Sequence, residues 1–219
     1  MRKLITVLIL FCFVSCKSQE TQNNNTIAKN NTMEYFDEND YNNLTVDNNY
    51  SPNINEKYYV DGNKKIRIIF REKTIQVEKT MLNNPYEIIK IYFKNNKILY
   101  AEGQDFYGIH IGLDKEYDET GKLIKQIDND KPYQFSIEDL RKKLKNEYDI
   151  DIIEDYNSKE PTLIKVGRWL GYDKDWDIYK KNVPMYQIGF EKNNNKIYLE
   201  INATTGSTIK KKVNGMVEK

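Results

Sequence analysis

Two phrases of the chain read alike: Ile91-Tyr-Phe-Lys-Asn-Asn-Lys-Ile-Leu-Tyr-Ala-Glu-Gly103 and Gly112-Leu-Asp-Lys-Glu-Tyr-Asp-Glu-Thr-Gly-Lys-Leu-Ile-Lys-Gln126. In each, a tyrosine precedes a turn, a lysine and two aliphatic residues, so residues 92–99 and 117–124 match at an offset of 25. A strand, a polar turn and a returning strand make a β-hairpin, which cannot bury its apolar face alone. Neighbouring hairpins must therefore stack or continue into one meander. Gly103 and Gly112 fall where the strands between the two phrases must end or bend.

The pattern extends in both directions. Upstream, residues 58–60, 66–70, 74–77 and 87–93 are short apolar runs, and Asp61-Gly62-Asn63 is a hairpin signal because its residues tolerate positive φ. Downstream, Lys131-Pro132 closes the section, and Ser136-Ile-Glu-Asp139 offers a helix N-cap with an acid at the third helical position. Ile137, Leu140, Leu144 and Tyr148 recur at helical spacing, with Arg141, Lys142, Lys143 and Lys145 on the solvated side. Asp151-Ile-Ile153 and Leu163-Ile-Lys-Val166 are expected strands. Residues 185–191 and 196–202 alternate around Lys192-Asn-Asn-Asn195, which sets Tyr186, Ile188 and Phe190 against Ile197, Leu199 and Ile201. Ala203-Thr-Thr-Gly206 then turns the chain into a last strand at 207–210 with a basic tail.

The stretches IYFKNNKILYAEG and GLDKEYDETGKLIKQ resemble the MORN-like repeats of the YwqK antitoxin-type proteins over residues 88–130, with Asn96 where that family usually has Gly. The helix, hairpin and Thr-Gly turn of residues 135–212, ending in LEINATTGSTIKK, resemble the PepSY domain. Together the resemblances imply an α+β fold. An antiparallel meander of MORN-like hairpins occupies residues 57–132, and a small helix-plus-antiparallel-sheet unit, PepSY-like, occupies 133–219. They also imply a non-catalytic protein that neutralises a toxin or restrains a hydrolase.

The beginning of the chain sets its address. Arg2 and Lys3 precede an apolar run over residues 4–14 and the small Ser15, the layout of a secretory signal peptide. A membrane span needs roughly 20 apolar residues, which this run lacks. Phe13-Val-Ser-Cys16 resembles the lipobox of bacterial lipoproteins, with Phe13 in place of the usual leucine. That resemblance implies a diacylglycerol on the Cys16 thiol, cleavage after residue 15, a further fatty acyl group such as palmitate on the new amino terminus, and attachment to the cell envelope, at the outer membrane. Two or more acyl chains make a stable anchor. Residues 16–56, rich in Asn, Thr, Asp and Lys, are expected to form a flexible tether spanning roughly 35 Å. Within it, residues 33–41 carry enough apolar side chains to dock as a short helix.

Composition excludes several classes. Cys12 leaves with the signal and Cys16 carries lipid, so the mature chain has no cysteine for a disulfide or a metal. Removing Arg2 and Lys3 from the 34 basic residues leaves 32 against 33 acidic ones, which gives no electrostatic case for nucleic acid. His110 is the one histidine, too few for a histidine-based metal site or a catalytic triad. No cofactor or metal is expected. Asp173-Lys-Asp-Trp-Asp177 is not a calcium loop, since Ile178 and Pro184 stand where an EF-hand needs Gly and Glu. His110 between glycines is read as structural, with general-base chemistry as the alternative. Arg168, Trp169, Tyr172, Trp176 and Tyr179 form the one dense aromatic cluster, which fits a partner-binding surface and fits a core corner equally well. The expectation is a membrane-tethered protein that binds an unknown protein partner and is no enzyme. An envelope hydrolase using acidic residues and a purely structural lipoprotein are the rivals.

Overall fold

A computed structural model of the chain describes residues 33–47, 54–156, 163–170 and 183–218. Cys16, the signal-like segment and much of the expected tether lie outside the described residues. Eight strands form one antiparallel sheet in chain order: β1 (Thr45–Val46), β2 (Glu56–Asp61), β3 (Lys64–Phe70), β4 (Thr74–Met81), β5 (Tyr86–Phe93), β6 (Leu99–Phe106), β7 (Ile109–Tyr117) and β8 (Leu123–Asp128). The one α-helix among the described residues, α1 (Ile137–Tyr148), follows. A second antiparallel sheet contains β9 (Lys165–Leu170), β10 (Pro184–Lys192), β11 (Asn195–Asn202), β12 (Thr208–Val213) and β13 (Met216–Val217), in the order β13-β12-β11-β10-β9. The architecture is α+β, a long meander followed by a smaller sheet with one helix.

Strand alternation gives the meander two unlike faces. On one, Ile68 pairs with Val77, and Phe70, Ile75, Tyr92 and Leu99 line up across β3 to β6. Phe36 and Tyr41 cover this row and are themselves 3% and 7% exposed. The docking expected of residues 33–41 therefore occurs, and the packed segment runs on to residue 47, so the tether is shorter than the 16–56 assigned to it. The reason is a local match of backbone and side chains. Phe36 N donates to the Lys97 carbonyl at 2.8 Å and Leu99 N to the Glu34 carbonyl at 3.0 Å, extending the sheet by one bridge at Tyr35 and Ile98. The Glu34 carboxylate then accepts from the Tyr92 hydroxyl at 2.7 Å and from Lys90 at 2.6 Å. The docked helical turn, Glu38–Tyr41, is a 3-10 helix whose first amide groups are capped by Asp37.

At the other end of the same face, Phe106 and Ile111 join a second cluster with Leu140, Leu144, Ile152, Tyr186, Ile188 and Leu199. The two sheets share this core. Ser136 and Asp139 form the expected capping box, each side chain accepting from the other's backbone amide. Asp149 closes α1 in the left-handed conformation at φ 52°. After it, Asp151-Ile-Ile153 is a turn and not the expected strand. Asp151 Oδ1 accepts from the amides of Ile153 and Glu154, which curls the backbone before a strand can extend. The Arg141 guanidinium clamps that carboxylate from the helix, with Nε to Oδ1 at 2.9 Å and Nη2 to Oδ2 at 2.7 Å. Burial disfavours ionisation of Asp151, but the Arg141 fork and the two amides outweigh it and hold the carboxyl pKa at about 2.

The final hairpins follow their asparagines. Asn193 and Asn194, at φ 51° and 60°, make a two-residue turn that pairs Tyr186 with Ile201, Ile188 with Leu199 and Phe190 with Ile197, as the alternation predicts. The expected basic tail is instead another hairpin. Asn214 and Gly215, both at positive φ, turn the longer strand β12 back into β13.

Two outcomes test these packings. Phe36→Ala is expected to lower unfolding stability by about 3–5 kcal/mol in urea titration, the usual cost of deleting a buried phenylalanine, whereas a tethering residue would change nothing. Because the folded pKa of Asp151 lies below the ordinary carboxylate value, its stabilisation is present above about pH 4 and is lost as pH falls through about 2. Asp151→Asn should therefore cost about 2–3 kcal/mol at pH 7 and show a shallower acid limb than wild type between pH 4 and 2. Parallel limbs would contradict the Arg141 clamp.

Candidate functional site

The opposite face of the meander contributes no side chain to either buried apolar cluster. Register sets Lys65, Thr80, Glu87, Asp105 and His110 side by side across β3 to β7, each paired with the next. A second row, Tyr58, Arg67, Glu78, Ile89 and Gly103, runs beside it. Arg67 is held between Glu56 at 3.0 Å and Glu78 at 3.2 Å. Arg67 and Glu78, with Tyr58, Lys65, Thr80 and Glu87, line an open cavity of about 360 Å³. Burial first, then the charges of Glu78 and Asp105, push the Glu87 carboxyl above its usual range, against the opposing effect of Arg67. The field on this face is negative although the whole chain carries a formal charge of +1.

An irregularity in β7 shapes the neighbouring part of the face. Gln104 pairs with Ile111 and Glu102 with Lys115, so β6 passes through Gly103 alone while β7 passes through Gly112, Leu113 and Asp114. Gly112 takes a left-handed φ of 63° at the bend. This bulge brings His110 and Asp114 close together on one side of the sheet. Nδ1 of His110 lies 3.8 Å from Asp114 Oδ2 and 3.0 Å from Asp105 Oδ1, the latter out of hydrogen-bonding alignment. A Cβ on Gly103 would stand 2.5 Å from Asp114 Oδ1, so the missing side chain is what lets that carboxylate lie against the sheet. Ile89, Ile91, Ala101 and Gly103 form the floor of a shallow depression of about 160 Å³, with His110 and Asp114 on its wall.

Arg168 lies behind this wall. Its side chain is 3% exposed, its guanidinium stacks 4.4 Å from the centre of the Tyr133 ring, and it donates to Asp130 Oδ1 at 2.5 Å and to the His110 carbonyl. Asp130 Oδ2 in turn accepts from Gly112 N at 2.9 Å. The second sheet thus braces the β7 bulge through one buried cation. Arg168, expected on a partner-binding surface or at a core corner, is turned inward, its two terminal nitrogens shared between Asp130 and the His110 carbonyl while the Tyr133 ring stacks on it. Trp169, next along β9, is half-buried, and its Nε1 has no acceptor among the described residues. Tyr172, Trp176, Tyr179 and the acidic residues 173–177 lie outside the described residues.

Sequence reasoning placed His110 beside a bend but missed Asp105 and Asp114. A separation of four in β7 ordinarily keeps two residues on one face yet too far apart to meet, and only the bulge closes that gap. The glycine pair Gly103 and Gly112 was the available signal. Chemically, the depression is lined by carboxylates, the Lys115 ammonium, an imidazole and apolar surface, with no serine, threonine or cysteine among its lining residues, and no group of metal ligands is assembled among the described residues. Searches of family models, curated proteins and solved structures return no match for this chain.

Arg168→Lys is expected to destabilise the protein by about 1–3 kcal/mol, since an ammonium keeps the charge but loses the fork and the stacking. The imidazole resonances of His110 should shift with it; unchanged stability and an unmoved His110 would place Arg168 at an ordinary surface.

Proposed function

We propose that this chain is a lipid-anchored, non-catalytic protein of the bacterial cell envelope that holds a protein partner on the open face of its meander. The observation that carries the reading is that face: a ladder of acidic and basic side chains across five strands, with shallow depressions and no part in either apolar cluster of the described residues. A broad, charged sheet surface is suited to docking a folded partner of complementary charge. The lipobox-like Phe13-Val-Ser-Cys16 supports anchoring through Cys16, at the outer membrane. The MORN-like phrases and the PepSY-like ending support a restraining role, either immunity to a toxin or inhibition of a hydrolase. Hydrolysis by acidic residues is the rival, and the raised Glu87 carboxyl between Glu78 and Asp105 is the feature that favours it.

Cys16→Ala in the full chain should move the protein from the membrane to the soluble fraction, and retention on the membrane would defeat the anchor. The lipidated chain in detergent should capture one stoichiometric partner from envelope extracts, losing it on Glu87→Lys but not on the distant Glu154→Lys. Turnover of an envelope substrate that vanishes on Glu87→Gln, with no such partner, would establish the rival instead.

A further inference from the structure

The connections of the meander gather at two ends. Turns 71–73, 94–97 and 118–122 are at one, and the connections 62–63, 82–85, 107–108 and 129–136, the last running into α1, are at the other. The first end is laced together across strands. Lys94 N donates to the Lys73 carbonyl and Lys94 Nζ to the Arg71 carbonyl, both at 3.0 Å, and Asn96 Nδ2 donates to the Glu119 carbonyl at 3.3 Å. Its three turns therefore form one platform.

Charge separates along the same axis. The platform carries Arg71, Lys73, Lys94, Lys97 and Lys122 against Glu72, Asp118 and Glu119, so five cations against three acids leave a surplus of two. Elsewhere in the sheet Lys57, Lys64, Lys90, Lys115 and Lys125 each have a carboxylate within 4 Å, whereas none of the five platform cations does among the described residues. The Asp118 carboxylate is taken up by the Thr120 hydroxyl and by the amides of Thr120 and Lys122. The positive surplus thus stands at one end of a chain that, without residues 1–15, has one more acid than base.

The segment that follows Cys16 enters at this same end. Tyr35 bridges to Ile98, and Met33 lies against Gly121, where a Cβ would stand 2.7 Å from Met33 Cγ. Only residues 17–32 separate Met33 from Cys16, a stretch that reaches no further than roughly 55 Å when fully extended. A hollow of about 700 Å³ opens among the platform turns, lined by Lys73 and Lys94, by Glu72 and Glu119, and by Phe93 and Tyr100, whose ring centres are 4.9 Å apart. Lysine heads beside aromatic rings are the side-chain pattern of a boundary between water and a bilayer.

We infer that this platform is a membrane-docking surface, and that its occupant is a phospholipid bilayer bearing anionic headgroups. The inference rests on the lipid-anchor reading above. With Cys16 in the bilayer, Lys73, Lys94 and Lys97 meet the headgroup phosphates, and Phe93 and Tyr100 lie at headgroup depth. The strands then stand up from the surface, the eight residues of β4 placing the opposite end roughly 27 Å further out. The acidic open face is carried upright, clear of lipid of its own sign, and stays available to a partner.

The test uses the processed, lipidated full chain, whose lack of any other cysteine allows a single nitrobenzoxadiazole label on Asn95→Cys in the platform or on Asn63→Cys at the opposite end. Both positions, like Lys73 and Lys94, are exposed, so the variants keep the fold. Each chain is reconstituted in vesicles of phosphatidylcholine alone, or of equal parts phosphatidylcholine and phosphatidylglycerol, with a spin label on a fraction of the headgroups. In the anionic vesicles, quenching at position 95 is expected to exceed that at position 63 at least about threefold. The contrast should collapse in neutral vesicles, at high salt, and in the double variant Lys73→Gln/Lys94→Gln. Equal quenching at the two positions in anionic vesicles, or a contrast that survives neutral lipid, high salt or the double variant, overturns the docking surface and leaves the anchor standing. A processed chain that does not float with neutral vesicles has no anchor and overturns both readings.

Discussion

An eight-stranded antiparallel sheet has to bury one of its faces, and no single element among the described residues is wide enough to do it. At the usual spacing between strands the meander spans roughly 34 Å, whereas the twelve residues of α1 make a rod of about 18 Å. The cover is therefore divided. Residues 33–47 seal the row from Tyr59 to Leu99, and α1 with the second sheet seals Phe106 and Ile111. The last strand, β8, lies beyond both covers and is exposed along its whole length.

Joining two sheets at the end of a meander leaves polar backbone at the seam, and Arg168 is the main device that satisfies it. Removing a guanidinium from water costs several kcal/mol, which is offset here by Asp130, by the His110 carbonyl and by the Tyr133 ring. The same contacts fix the bulged part of β7 through the Gly112 amide. One buried cation thus serves the packing of the second sheet and the shape of the opposite, solvent-facing surface. Communication between them needs no movement, only a shared strand whose two sides are read by different neighbours.

The open face shows how little net charge says about local field. Acidic and basic residues nearly balance over the chain, yet β4 to β7 bring Glu78, Glu87, Asp105 and Asp114 to one side of the sheet. Of these, Glu78 is neutralised in place by Arg67, and Glu116 beside them by Lys125. The charge that is not lies where Gly103 removes a side chain and the bulge adds residues, so the surplus is a local feature of two adjacent strands.

What could be read from the sequence was whatever short-range chemistry dictates. The capping box of Ser136 and Asp139, the turn within Lys192-Asn-Asn-Asn195 and the alternation of Tyr186, Ile188 and Phe190 each depend on residues a few positions apart, and all appear as read. The succession of hairpins came in the same way from turn residues and period-two patterning. Errors arose where a distant partner decides. Residues 42–47 look like polar tether until the groove beside Phe36 exists; Asp151 looks like the start of a strand until Arg141 reaches it from the helix; Arg168 fits a surface and a core corner alike until Asp130 and Tyr133 enclose it. For the candidate site only the glycines and His110 were visible, because the meeting of Asp105, His110 and Asp114 is created by strand register and a bulge. Sequence alone determined the elements and their order, since local backbone preferences and side-chain periodicity act within one turn or one strand. The tertiary structure decided which face is covered and where uncompensated charge remains, because burial and ion pairing depend on neighbours brought from far along the chain.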